Sequence, residues 1–332
     1  MPSRCARRFA ESRPLSRAKE HLGSIAVVRA GLRSLVIAAA LLAAASASAA
    51  LRVVATTTDL AALTTAVGGD LVIVESIVPA GIDAEAFESR PGDLDKLRQA
   101  DLVVRIGLGY DFWLDALVVR VGNKRIMRGG DAYVDASAGI PLLEIRGQGV
   151  VNEGGHAHGV GNPHYWLDPE YAIIITASIA EALVRRAPEH RDRIVANRER
   201  FLAELRTRLQ KWSEALAPYA GATFIAYHNS WPYFARRFRL NVVGYIEPKE
   251  GVAPSPAHLA RLISLARTSQ VKAILHEPYE PEETSRFMAQ KLGVPMLKLA
   301  ISVGSMPDAR DYLALFDYNV ATVANALRAR NP

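Results

Sequence analysis

Short runs of β-branched and other apolar residues alternate with stretches of helical periodicity along most of the chain. Residues 51–56 (Leu-Arg-Val-Val-Ala-Thr), 72–78 and 101–106 predict strands. Among them, a helix capped at Thr58 or Asp59 runs to about Val67, and another begins at Asp93-Leu94. The second half repeats the rhythm. Residues 223–227, 242–246, 272–275 and 295–300 predict strands, and 256–268, 282–292 and 311–328 predict helices. Such alternation implies parallel sheets with helical crossovers, an α/β fold.

One helix stands apart by its length. Ile194, Phe201, Leu205, Leu209, Trp212 and Leu216 fall mainly three or four residues apart, and Pro218 closes the pattern. A helix over residues 190–217 would be about 40 Å long at 1.5 Å per residue, long enough to cross between two lobes. The expected division is therefore a leader (1–50), an N-terminal α/β lobe (51–189), a linking helix (190–218) and a C-terminal α/β lobe (219–332). Residues 147–163 are glycine-rich and show no periodicity, which predicts a flexible loop. After it, Asp168-Pro169-Glu170 opens a helix with Asp as cap and Pro in the first turn.

The leader changes the reading of charge and compartment. Arg29 and Arg33 precede the apolar run 35–44, and small residues follow with cleavage expected after Ala47 or Ala49. This is the pattern of a secretory signal peptide, with a start expected near Val27 or Val28. The chain has a formal net charge of +6, but residues 1–50 hold eight basic and two acidic residues. Residues 51–332 are therefore neutral overall, and no electrostatic footprint for nucleic acid remains. Cys5 is the single cysteine and lies ahead of the apolar run. Disulfides, thiolate metal sites and a cysteine nucleophile are thereby excluded from residues 51–332. A cysteine at the cleavage site would be needed for a lipid anchor, so a free periplasmic protein is expected.

Enzyme signatures such as H-E-x-x-H, G-x-S-x-G and the Walker A loop are absent, and Gly107-Leu-Gly109 lacks the third glycine of a dinucleotide fingerprint. Histidines are the informative residues. His164 stands in Asn162-Pro-His-Tyr-Trp-Leu-Asp-Pro169 at the entry to a helix. His228 follows the strand 223–227, at the end that faces the ligand cleft in α/β sheets. Imidazole in such places suits a divalent metal such as zinc, although either ring taken alone could serve a local hydrogen bond. His156 and His158 form an H-x-H within the glycine-rich loop, a tract able to capture metal or simply to be solvated. His190 and His258 lie in polar helical stretches and read as ordinary surface residues.

Several motifs now line up in order. Residues 79–83 (Pro-Ala-Gly-Ile-Asp) leading to 91–94 (Pro-Gly-Asp-Leu), 107–114 (Gly-Leu-Gly-Tyr-Asp-Phe-Trp-Leu), 162–169 and 227–235 (Tyr-His-Asn-Ser-Trp-Pro-Tyr-Phe-Ala) appear at characteristic spacing, as do Pro254-Ser-Pro256 and the closing Tyr312 and Tyr318-Asn319. Over nearly the whole of residues 51–332 the chain resembles the periplasmic zinc- and manganese-binding proteins of metal-ion ABC transporters. The resemblance implies two similar lobes with a metal cleft between them, a linking helix that limits hinge motion, and an inner-membrane ABC permease as partner. It implies a monomer that binds Zn²⁺, with Mn²⁺ or Fe²⁺ as alternatives, and catalyses nothing.

Carried over residue by residue, the resemblance makes His164 and His228 metal ligands. The family's first ligand is usually a histidine; in residues 83–88 (Asp-Ala-Glu-Ala-Phe-Glu) Glu85 takes that place. The family's fourth ligand is often an aspartate after the last strand, but residues 300–305 hold no carboxylate. Glu277 is the nearest candidate, with its neighbour His276, His158 or a water as rivals. Two other readings compete: the same fold binding a metal chelate or another metal, and a secreted zinc hydrolase with Glu88 or Glu277 as general base.

Overall fold

Val53, Val54 and Ala55 are buried because their strand lies inside a sheet, with a neighbour on each side. The computed structural model describes residues 50–144, 161–249 and 251–329. The first sheet contains β1 (Leu51–Ala55), β2 (Val72–Ser76), β3 (Leu102–Arg105) and β4 (Tyr133–Asp135), all parallel, in the order β2-β1-β3-β4. The second contains β5 (Thr223–Ala226), β6 (Asn241–Tyr245), β7 (Ala273–His276) and β8 (Met296–Lys298), again parallel, in the order β6-β5-β7-β8. The two orders are the same pattern. In each, chain direction across the sheet reverses beside the first strand, and ligands of open α/β sheets bind beyond the strand C-termini at that point.

Nine α-helices cover these sheets among the described residues. They are α1 (Thr58–Gly68), α2 (Pro91–Arg98), α3 (Trp113–Val121), α4 (Ala172–Arg186), α5 (Arg191–Leu216), α6 (Pro232–Arg237), α7 (Pro256–Thr268), α8 (Glu282–Leu292) and α9 (Tyr312–Arg328). Two parallel four-stranded sheets flanked by helices, with one long helix, are thus as the pattern predicts. Helix α5 spans 26 residues and buries Ile194, Phe201, Leu202, Leu205, Trp212 and Leu216. That face packs against α1, α4 and α9. The Trp212 indole donates to Asp317 Oδ1 of α9 at 2.8 Å. The last helix therefore touches β8 in the second half and also α5 and α1. One continuous apolar core includes Val53, Leu60 and Trp166 with Phe224, Trp231 and Phe316, so both halves share it.

Several local expectations shift. Thr57 caps α1, accepting from the Leu60 N–H, rather than Thr58 or Asp59, and those two side chains are turned elsewhere. Helix α2 begins at Pro91, because Asp93 closes back on the Arg90 N–H at 2.8 Å. Asp168 does cap Glu170, but a 3-10 turn, Pro169–Tyr171, precedes α4. Strand β8 is only three residues, Met296–Lys298, within the expected 295–300. The short elements β4, α3 and α6 had no separate signal in the apolar pattern. No helix among the described residues is long and apolar enough to cross a membrane. The leader, and the loop that carries His156 and His158, lie outside the described residues.

Candidate metal centre

Three side chains from three separate segments meet. Glu85 lies in the loop between β2 and α2, His164 just before the turn Tyr165–Leu167, and His228 two residues past the end of β5. One ligand-capable atom from each lies within 4.8 Å of the other two. Glu85 Oε2 stands 3.4 Å from His228 Nε2 and 3.8 Å from His164 Nε2. Two ligand atoms at about 2.0–2.2 Å from a tetrahedral ion stand about 3.3–3.6 Å apart. The observed separations are close to that spacing and too long for strong direct hydrogen bonds.

Each imidazole is oriented from behind. Asn162 Nδ2 donates to Glu144 Oε2 at 3.1 Å and to the Asn229 carbonyl at 2.9 Å. Those bonds turn its oxygen toward His164, where it accepts the backbone N–H at 2.9 Å and meets Nδ1 at 3.1 Å. His164 Nδ1 therefore carries a proton, and in the neutral ring Nε2 carries the lone pair. His228 Nδ1 meets Glu247 Oε2 at 2.7 Å, which assigns its tautomer in the same way. The second Glu247 oxygen accepts the Gly251 N–H at 2.7 Å, so the carboxylate is itself fixed. A ring N–H held by a carboxylate or carbonyl is the usual outer support of metal-bound histidine. Tyr110 and Trp166 wall the site, with ring centroids 5.4 Å and 5.2 Å from that of His164.

The surroundings are acidic. Burial works to lower the His228 pKa, but the hydrogen bond to Glu247 and the nearby carboxylates Glu85 and Glu277 prevail and hold it well above the ordinary value. Burial raises Glu277 to about 6, against the pull of His228, Ser230 and Trp231. Burial and the charges of Glu277 and Glu247 raise Glu280 to about 8. Burial likewise raises Asp83, whose Oδ1 accepts the Glu85 N–H at 2.9 Å. Carboxylates raised in this way by burial and by one another are a sign of crowded negative charge, which a divalent cation would relieve.

The remaining sequence candidates lie elsewhere. Glu277 is fully buried and outside the three-residue group: Oε1 accepts the Trp231 indole N–H at 2.7 Å, and Oε2 has no hydrogen-bond partner among the described residues. His276 turns its Nδ1 to Ser285 Oγ at 3.0 Å. Glu88 is exposed. Two supporting residues were not singled out from sequence. Glu247 follows β6 as His228 follows β5, so the strand-end rule that found one would have found the other. Asn162 lay inside a motif already noted, but its amide geometry leaves no trace in the sequence.

Two similar parallel sheets and a Glu-His-His set drawn from three segments are an arrangement that suits the capture of a divalent cation. Residues 53–326 match the model of the family described as zinc-uptake complex component A periplasmic, and the chain belongs to that family. It is 24% identical over 280 residues to the manganese ABC transporter substrate-binding lipoprotein PsaA of Streptococcus pneumoniae, covering 81% of this chain and 86% of the relative. It is 24% identical over 236 residues to the high-affinity zinc uptake system protein ZnuA of Yersinia pestis, covering 66% and 73%. A crystal structure of a ZnuA deletion mutant with zinc bound superimposes with a TM-score of 0.71 at 29% identity, covering 84% of this chain and 98% of that one. Several relatives are named as lipoproteins, in contrast to the free periplasmic protein expected here.

Proposed function

We propose that the protein captures Zn²⁺ in the periplasm and delivers it to an inner-membrane ABC permease. Glu85, His164 and His228 are the ligands in this reading. The observation that carries it is the convergence of two pre-oriented imidazoles on one carboxylate, 3.4 Å and 3.8 Å from its Oε2, near the spacing of ligand atoms around a tetrahedral ion. Glu277 is proposed to complete the set, its buried Oε2 turning toward the group when a cation enters. No further protein partner is invoked, and the receptor acts as a monomer.

A second reading has a specific basis. The supporting carboxylates Asp83, Glu247, Glu277 and Glu280 make the surroundings of His228 harder and more anionic than two histidines alone would, which favours Mn²⁺ or Fe²⁺. Thermal unfolding of metal-stripped protein at fixed pH decides between them. A cation at about 100 times its dissociation constant adds about 2.7 kcal/mol, a shift of several degrees. A shift with Zn²⁺ that exceeds those with Mn²⁺ and Fe²⁺ at equal concentration supports the zinc reading. A reversed order replaces it, and no shift with any ion points to a chelated cargo. Chelator-sensitive turnover of an ester or peptide panel would favour the hydrolase instead. The mass of the mature N-terminus tests secretion without a lipid: cleavage near Ala47 or Ala49 is expected, and an added acyl mass would contradict it.

A further inference from the structure

Two loops from opposite halves lie against each other, and one of them carries Glu85. Gly304 has φ +82°, and a Cβ there would come within 2.9 Å of the Ala80 Cβ. On the same contact, a Cβ on Gly81 would sit 3.8 Å from the Ser305 Cα. Ala80 and Gly81 begin the loop that carries Glu85. Whatever holds residues 302–305 therefore bears on the position of that ligand.

What holds them is a pair of consecutive side chains in the first turn of α1. Thr58 Oγ1 donates to the Val303 carbonyl at 2.8 Å, and the Val303 N–H donates to Asp59 Oδ1 at 3.0 Å. Both backbone groups of one residue in the second half are thus gripped from the first half. Asp59 is completely buried, and its Oδ2 has no hydrogen-bond partner among the described residues. A cavity of about 10 Å³ lies here, lined by residues that include Asp59, Ala84, Tyr110, Tyr279 and Ser302. It links Asp59 to the neighbour of Glu85 and to the ring packed on His164.

A buried carboxylate oxygen without a partner lowers stability, so its presence calls for a role. Burial raises Asp59 to about 7, opposed only by hydrogen bonds from backbone N–H groups of Val303 and its own turn. The titratable groups that face it are Tyr110, Tyr279 and Tyr312, from the loop after β3, the loop after β7 and the start of α9. Burial drives all three tyrosines further up, so they stay neutral. Asp59 is then the group that changes charge at this contact near neutral pH.

We propose that Thr58 and Asp59 form a proton-set pin between the halves, in which ionised Asp59 holds Val303 and the Glu85 loop tightly, neutral Asp59 holds them loosely, and the pin governs how fast the cation leaves. The release part rests on the proposed metal-binding function; the pin itself does not. Asp59 acts here as a positioning residue, through Val303 and Gly304.

Hydrogen exchange of the metal-free full chain tests the pin. A charge-assisted hydrogen bond exceeds a neutral one by enough to change protection about fivefold. In the unmodified protein the Val303 amide, corrected for intrinsic exchange, should gain about that factor from about pH 6 to about pH 8 relative to the Leu299 amide, which bonds the His276 carbonyl in the same segment. Asp59→Asn, neutral at every pH, should abolish the gain, and Thr58→Val should lower protection by a factor independent of pH. A Val303 amide that tracks Leu299 throughout overturns the pin, and that comparison needs no variant to fold.

Zn²⁺ release into a chelator gives the second arm. The ratio of release rates, Asp59→Asn over unmodified, should rise from near one at about pH 6 to about five at about pH 8. Titration of the ligands themselves cancels in this ratio. A ratio flat with pH overturns the link to release. A working pin in a protein that binds no Zn²⁺ would instead refute the proposed function alone.

Discussion

The two histidines of the centre face the same carboxylate but are backed by different chemistry. His164 rests on a neutral amide, Asn162, whose own donors are committed to Glu144 and Asn229. His228 rests on an ionisable group, Glu247, in a region where Glu85 and Glu277 add further negative charge. An amide fixes a tautomer without favouring the protonated ring. A carboxylate fixes the tautomer, strengthens the ring as a donor, and also raises its affinity for a proton. In the proposed site one histidine would thus be a plain ligand, and the other would set a contest between the cation and a proton.

The largest expected effect erases the comparison. His164→Ala and His228→Ala should each weaken Zn²⁺ binding by more than about 100-fold in isothermal titration, beyond the 10–100-fold usual for outer-sphere changes. Comparable losses would mark both rings as ligands; a small loss at either would restrict it to a supporting role. The supports sharpen the comparison at the next level. Glu247→Gln should cost about 10–100-fold and Asn162→Leu about tenfold. Only Glu247→Gln should also move the pH profile. Binding must expel the proton from His228, so affinity falls as pH drops through its raised pKa. With Glu247 neutral, that fall should begin at lower pH, read by the same titration across pH.

Glu277→Gln should cost about tenfold, because the amide keeps an oxygen at the same reach and loses the charge. An unchanged affinity would remove Glu277 from the ligand set. The smallest effect is on stability without metal. Glu277, Asp59 and Glu280 have folded pKa values of about 6, about 7 and about 8, all above their unfolded values. Raised acids contribute stability that is complete below the unfolded pKa and is lost as pH rises through the folded one. The window of loss for these groups runs from about pH 4 to about pH 8. Metal-free protein should therefore melt several degrees lower near pH 8 than near pH 6, and Asp59→Asn should reduce the difference. A flat melting profile would mean that these carboxylates are better solvated than their burial implies.

How much of this was legible depended on the length scale of each signal. The sheets and α5 show in the chain because apolar spacing is a local record of burial, repeated over many residues. Strand β4, with three residues, and α6, with six, fall below the length at which a period can be counted. His164 and His228 are legible because each sits in an ordered motif at an element boundary, and Glu85 is legible only by its place in such a motif. The contacts that give the site its character are not written locally. Glu247 meets His228 across 19 positions, and Asp59 meets Val303 across 244. Only the folded chain brings those partners together.

Helix α9 has a consequence for biosynthesis. Phe316 stacks near Trp212 at 5.3 Å between ring centroids, and Val320 and Val323 are buried in the core that both halves share. These residues leave a ribosome about a hundred positions after the face of α5 that they cover. Until they emerge, the apolar face of α5 lacks its cover, and nascent chains must be held from aggregating by whatever binds exposed apolar segments. A chain cut before Asp311 should thus depend on holdase chaperones for its solubility, however complete its two sheets.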